Sequence, residues 1–173
     1  MFHLRPFGVG DFALLAGWFG SVAELTQWGG EAFRFPLTAD QLLRMVAEAD
    51  AAPPARLCRM IEKDGEVAGH AQLRLFREAG GARLCHVAVA PGMRGRGLAV
   101  PMLRPVIDEA FAIPETGRVE LMVYTWNAPA IRTYERLGFR RESVCRDSVR
   151  VCAESWDAAV MALARDAWRS GCG

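Results

Sequence analysis

The sequence predicts an α+β fold, with one mixed, mostly antiparallel sheet flanked by helices. Three observations carry this. Residues 56–90 hold three strand-like runs joined by tight turns, residues 87–103 pass from a strand through a Gly/Arg turn into a helix, and residues 139–163 close the chain with a hairpin. A meander that feeds a helix differs from the regular strand–helix alternation of a doubly wound sheet. The 173 residues suit one domain with a sizeable core, spanning 1–173, and are too few for two.

Composition narrows the function classes. The chain is 51% apolar and 24% charged, as in ordinary globular proteins. A net charge of +1 leaves no global field to recruit nucleic acid or an anionic membrane, so neither is expected as a partner. Lys63 is the sole lysine, which reads as genome composition. The five cysteines, Cys58, Cys85, Cys145, Cys152 and Cys172, form no Cys-x-x-Cys pair, and most sit in apolar runs. They predict buried thiols in a reducing cytoplasm and no metal site. The apolar run from Phe12 to Phe19 is too short to cross a bilayer and has no basic run before it, so it reads as a core helix.

The elements follow in order. Phe2 to Pro6 is a short strand. Asp11 suits the N-cap of a helix from Phe12 towards Leu25, broken by Trp28-Gly29-Gly30. Phe33 to Leu37 is an apolar loop, and Thr38 caps a helix from Ala39 to Ala49 with Leu42, Leu43 and Val46 inward. Pro53 and Pro54 end it. Strands then run over Arg56–Glu62, Glu66–Phe76 and Arg83–Ala90, the first two joined by the Asp64-Gly65 hairpin signal. A helix from Gly97 to Ala112 carries Pro101 in its first turn and Pro105 deeper, where a kink is expected. Arg118 to Tyr124 is the next strand, parallel to the one before that helix. Asn127 caps a short helix with Pro129 in its first turn, ended by Gly138. Phe139–Val151 and Ala158–Leu163 form the last hairpin, and Trp168 lies on a tail.

The passage from Val87 to Leu103 has the makings of an anion site. Glycines in Arg94-Gly95-Arg96-Gly97 let the backbone approach a ligand. The unpaired first amides of the following helix, its dipole and two arginines then favour phosphate. Neither the Walker string nor the Gly-x-G-x-x-G fingerprint is present, since Val100 stands three residues after Gly97. A pyrophosphate site of another kind and a plain strand-to-helix turn both fit this passage.

Two motifs some 30 residues apart decide between them: Arg94-Gly-Arg-Gly97-Leu-Ala99, and Asn127-Ala-Pro-Ala-Ile-Arg-Thr-Tyr134 with Gly138-Phe139. Together they resemble the GCN5-related N-acetyltransferase (GNAT) family, whose acetyl-CoA signature is Arg/Gln-x-x-Gly-x-Gly/Ala. The order of elements fits that family over nearly the whole chain. Arg146-Asp-Ser-Val-Arg-Val and Trp156-Asp-Ala-Ala-Val-Met more loosely resemble the branch acting on ribosomal-protein N-termini.

The resemblance implies a single domain in which the two central parallel strands, ending at Val89 and Tyr124, splay apart. Backbone groups of Val87, Ala88 and Val89 would bond the pantetheine of acetyl-CoA, and the amides from Arg94 to Ala99 (Gly95, Arg96, Gly97 and Leu98 between them) would hold its pyrophosphate. Asn127 would cap its helix and touch the pantetheine, and Tyr134 would face the CoA sulfur as general acid. The family's glutamate base is missing from Arg83-Leu-Cys-His-Val-Ala-Val. His86 is the first candidate base, with His70, Glu120 or water as others. Trp28, Phe33, His70 and Gln72 are expected to line the acceptor pocket with Arg74 beside them, and Arg74, Arg77 and Arg83 read as a solvated face rather than a patch that steers substrate. The reading is an acetyl-CoA-dependent transferase acting directly on an amine-bearing small molecule or peptide N-terminus. A CoA-binding sensor without turnover is the alternative. The acyl length stays open, and the closing hairpin offers an edge for a homodimer.

Overall fold

The computed structural model describes residues 1–170. Seven strands form one sheet in the order β1-β2-β3-β4-β5-β7-β6. These are β1 (Phe2–Pro6), β2 (Arg56–Lys63), β3 (Glu66–Phe76), β4 (Gly81–Val89), β5 (Arg118–Tyr124), β6 (Arg140–Val151) and β7 (Glu154–Ala164). Among the described residues only β4 and β5 pair in parallel, as expected from the helical crossover between them. The helices are α1 (Phe12–Ala16), α2 (Val22–Gly29), α3 (Ala39–Ala49), α4 (Ala99–Ala112), α5 (Ala128–Arg136) and α6 (Arg165–Ser170).

Strand alternation sends residues to two separate cores. On one face Leu73, Leu84 and Leu121 pack under Met102, Val106 and Ile107 of α4. On the other, Cys58, Met60 and Ala88 pack under Phe12, Leu15, Trp28 and Leu42. Gly69 shows how closely α4 lies on the sheet: a Cβ there would collide with Met102 Sδ and the Ala88 carbonyl. The β2–β3 turn is as expected, with Asp64 at φ 54° and Gly65 at φ 84°, the left-handed pair of a tight hairpin.

Four expectations need correction. The first helix is two: α1 stops at Ala16, and α2 begins after Ser21, whose hydroxyl accepts from the Glu24 amide at 3.2 Å. Gly17 and Gly20 bracket the break, while Trp18 and Phe19 are buried in it. Asp11 stands at the N-cap position of α1 but makes no side-chain capping bond; its carboxylate instead accepts two hydrogen bonds from Arg5 (2.7 and 2.8 Å) and one from the Gly8 amide (3.0 Å). In α3 the buried pair is Leu42 and Met45, and Leu43 faces outward, 48% exposed. The cysteines divide: Cys58 is buried and Cys85 half-buried, Cys145 and Cys152 are exposed, and Cys172 lies outside the described residues.

The tail is a docked helix. Trp168 is buried and its indole N–H donates to Asp108 Oδ1 at 2.8 Å. Arg165 at the start of α6 reaches the end of α4, donating to the carbonyls of Phe111 (2.6 Å), Ile113 (2.7 Å) and Thr116 (2.6 Å). These carbonyls include some that a helix C-terminus leaves without partners, and a cation is favoured there by the helix dipole. α4 itself runs on through Pro105 as one helix, with Pro101 at its third residue, where no intrahelical donor is lost.

Candidate active site

β4 and β5 are hydrogen-bonded only at their beginnings. The register holds for Gly81–Arg118, Ala82–Val119 and Arg83–Glu120, and no pair follows. Beyond it the strands part, and a cavity of about 870 Å³ opens between them. A bulge in β4 helps to turn it. Gln72 opposes Cys85 and His70 opposes Ala88, so one extra residue of β4 is accommodated there, and His86 takes φ 50°. Such a left-handed non-glycine residue in a strand is strained, and bulges of this kind re-aim backbone next to functional sites.

One end of the cavity is the loop into α4. Gly95 and Gly97 have φ 74° and 69°, which favour glycine, and nothing lies within 4 Å of where either Cβ would stand. The loop therefore presents bare backbone to open space. Leu98 caps α4 without a side-chain hydrogen bond, so the first helical amides of Ala99 and Val100 have no intrahelical acceptor. Arg94 folds back, donating from Nε to the Val89 carbonyl at 3.2 Å. This arrangement fits the diphosphate of CoA: amides and a helix N-terminus for anionic oxygens, with room for them to approach.

The middle of the cavity carries Val87, Ala88 and Val89 on one side and Asn127, Ala130, Thr133 and Tyr134 on the other. Asn127 caps α5 as expected, its Oδ1 accepting from the Ala130 amide at 3.3 Å. Tyr134 lies two turns along that helix, only 9% exposed. Burial, with a smaller contribution from Cys85, pushes its phenol up to about 12, so the hydroxyl keeps its proton at neutral pH.

The far end carries residues expected on the acceptor side. Trp28 and His86 line it, in ring contact with centroids 5.0 Å apart, and Trp28 Nε1 donates to the His86 carbonyl at 2.8 Å. Phe33 stands behind both, 5.0 Å from Trp28 and 5.3 Å from His86, and is not on the wall. His70 and Gln72 are not on it either. Both are 0% exposed, His70 against the Phe7 and Trp28 rings and Gln72 against Met45. Gln72 accepts from Arg56 at 2.8 Å and bonds His70 Nε2 at 2.9 Å, so the two are a buried polar link rather than substrate contacts. Arg96 lies in the loop without lining the cavity.

Burial pushes both His70 and His86 down to about 3, with a smaller contribution from His86 to His70 and from Arg56 to His86. His86 is thus a neutral imidazole, able to accept a hydrogen bond and weak as a base. Its Nδ1 and that of His70 are buried without partners. Glu120, another candidate base, is tied to Arg83 in a very short ion pair. Burial pushes the Cys58 thiol up to about 12 and raises Cys85, so neither is a ready thiolate nucleophile.

Sequence reasoning missed part of the wall. Arg56 and Arg83 line the cavity beside the expected Arg74, and Tyr124, Cys85 and Ser148 join them. Tyr124 closes the side nearest α2, donating from its hydroxyl to the Thr26 carbonyl at 3.3 Å. The strand register was the available signal: Arg56, Arg74 and Arg83 are consecutive cross-strand partners. Among the described residues, no group of three or more His, Cys, Asp or Glu side chains could hold a metal ion, and no helix is long and apolar enough to cross a membrane.

Residues 22–139 match the model of the acetyltransferase (GNAT) family. The L-amino acid N-acetyltransferase AaaT of Escherichia coli (strain K12) is 33% identical over 84 residues, 46% of this chain and 50% of that protein. An aminoglycoside N(6')-acetyltransferase type 1 of Klebsiella pneumoniae is 28% identical over 147 residues, 76% of this chain and 70% of that protein. Among solved structures, the spermidine N-acetyltransferase of Vibrio cholerae in complex with CoA and spermine superposes with a TM-score of 0.83 at 19% identity, over 97% of this chain and 98% of that one.

Proposed function

From the premise that the chain belongs to the GNAT acetyltransferase family, we propose that it moves an acetyl group from acetyl-CoA directly to a primary amine, on a small molecule or at a peptide N-terminus. The observation that carries this is the gap between β4 and β5, open from the phosphate-accepting loop through to Tyr134 and His86. One domain over 1–173 would do the whole reaction, since a single sheet runs through the described residues.

The roles follow from position. The amides of the loop from Arg94 to Ala99 hold the pyrophosphate, where backbone donors and the α4 N-terminus need no rearrangement to meet it. Arg94 lets go of the Val89 carbonyl, and the freed edge of Val87 to Val89 takes the pantetheine as an added strand. Asn127 keeps the α5 N-terminus in place beside it. The acetyl thioester then lies in the gap with Tyr134 beside its sulfur.

An amine entering past Trp28 attacks the carbonyl carbon. A C–N bond forms, the C–S bond breaks, the sulfur leaves as a thiolate that takes the Tyr134 proton, and the phenolate recovers a proton through solvent as the new amide nitrogen gives one up. His86 orients the amine by accepting from its N–H; its low pKa makes any proton it takes a brief guest, passed on to solvent. No covalent acetyl-enzyme is needed, in keeping with the raised thiols of Cys58 and Cys85. The relatives' names span amino acids, aminoglycosides and a polyamine, three kinds of amine acceptor.

The test is release of free CoA thiol from acetyl-CoA with amino acids, polyamines, aminoglycosides and peptides as acceptors, with the product identified by mass. Amine-dependent release is the expected result. Acetyl-CoA binding by calorimetry with no release across the panel would refute it.

A further inference from the structure

The acceptor wall carries a row of like charges that the fold alone does not call for. Arg56 on β2 is the direct cross-strand partner of Arg74 on β3, which is the partner of Arg83 on β4. Like charges directly opposite one another in a sheet destabilise it. The two outer members are compensated. Arg56 donates to Glu48 at 2.9 Å and to Gln72 at 2.8 Å, and Arg83 is paired with Glu120. The middle one is not. Among the described residues Arg74 makes no ion pair and no side-chain hydrogen bond; its guanidinium lies 5.8 Å from the Phe76 ring centroid, and that of Arg83 lies 5.5 Å from the same ring. Arg74 is exposed, and all three arginines line the cavity.

The row cannot serve the pyrophosphate. Arg83 sits where β4 and β5 are still paired, and six residue steps, roughly 20 Å of strand, take the chain from it to Val89, where β4 ends before the phosphate loop. In the transfer proposed above, that end of the cavity is where the acceptor would lie. A planar guanidinium with two free donors in a fork, beside an apolar ring and between two neutralised arginines, matches a carboxylate held by two parallel hydrogen bonds.

We propose that Arg74 binds a carboxylate on the acceptor, so that the substrate is an amine carrying an acid group rather than a polycation. This rests on the acetyl transfer proposed above and names its substrate class. The unpaired charge of Arg74 also disfavours polyamines and other polycations at this end of the cavity.

The experiment is thiol release from acetyl-CoA with α-amino acids, β-alanine, γ-aminobutyrate and ε-aminocaproate, each beside its carboxamide. Spermidine and an aminoglycoside complete the panel. At least one acid should exceed its carboxamide by tenfold or more in kcat/KM, and exceed both polycations. Arg74→Ala should bring that ratio near one through KM of the acid, with KM for acetyl-CoA within twofold of wild type. Arg74→Lys should keep part of the preference. Turnover in which carboxamides equal or exceed the acids, or a preference that survives Arg74→Ala, overturns the proposal and leaves acetyl transfer standing. Absence of thiol release with any amine overturns the transfer reading instead. The carboxylate site is then decided by calorimetric titration of the same acids onto the CoA-loaded protein. Tenfold weaker binding to Arg74→Ala supports it, and equal or undetectable binding overturns it.

Discussion

Lowering the pH from 7 to 5 should remove about 4 kcal/mol of folding stability through two buried histidines. His70 is sealed between Phe7, Trp28 and Gln72, and His86 sits beneath Trp28 and Phe33. Burial holds both folded-state values near 3, against an ordinary 6.5 in the unfolded chain. Between those values the unfolded state binds protons and the folded state does not. Stability is therefore fully present above 6.5 and is lost as the pH falls towards 3. At pH 5 the unfolded chain has gained about 1.5 pH units of proton binding per histidine, at about 1.4 kcal/mol per unit, hence about 2 kcal/mol each. That figure does not depend on the folded value provided it stays well below 5. The charge of Arg56 beside His86, and of His86 beside His70, only lowers the folded values further. Asp11, held below the usual carboxylate range mainly by hydrogen bonds from Arg5, loses its contribution only as the pH falls below about 4, outside this window. The assay is urea denaturation at half-unit steps from pH 7 to 5. The slope of stability against pH should approach about 2.7 kcal/mol per unit, and His70→Leu should halve it whatever it does to absolute stability. A flat profile, or a slope unchanged by His70→Leu, would refute the reasoning.

Three further outcomes follow from the structure. Tyr134→Phe should lower kcat for thiol release by roughly a hundredfold, the usual scale for one acid–base group, with KM for acetyl-CoA changed less than threefold. Gly97→Val places a β-branched side chain at φ 69°, so KM for acetyl-CoA should rise at least tenfold while far-UV circular dichroism is retained. Arg165→Ala strips donors from the carbonyls of Phe111, Ile113 and Thr116, and should cost roughly 2–4 kcal/mol in urea denaturation at one to three per unsatisfied carbonyl, discounted for those that water can reach.

Features encoded within a few residues were legible before the fold was known. Asp64-Gly65 names its own turn, Asn127 its own cap, and β3 runs over Glu66–Phe76 as its alternation says. The parallel β4–β5 pair followed from chain order and handedness. The first helix was misread because Phe12 to Phe19 is apolar throughout, and burial does not distinguish a helix from a loop packed into a core. The correcting signal was present in Ser21-Val-Ala-Glu24. There the Ser21 hydroxyl takes the Glu24 amide and the Glu24 carboxylate takes the Gly20 amide at 2.6 Å, a near capping box. The Trp168 tail was unreadable for another reason: its partner Asp108 lies sixty residues earlier, on α4.

The acceptor wall shows where one-dimensional reasoning stops. His70, Gln72 and Arg74 alternate along β3 and so share a face, which the sequence makes plain. Which of them meets a substrate depends on how far the covering helices reach. Phe7, Trp28 and Met45 lie over the first two, and both become interior groups that bond each other, with Gln72 also accepting from Arg56. The cover ends before Arg74, and the wall begins there. The same cover holds His70 and His86 neutral, so the pH sensitivity of the fold and the charge of the acceptor site have one structural origin. Around neutral pH the floor of the site stays uncharged, and the positive end of the cavity is set by arginines that do not titrate. An acceptor's carboxylate should therefore be bound equally well across pH 6 to 8, and any pH dependence of kcat/KM in that range should come from the acceptor's own amine. Acids of differing amine pKa should shift the profile in step, and a profile fixed regardless of acceptor would place a titrating group of the protein in the binding step.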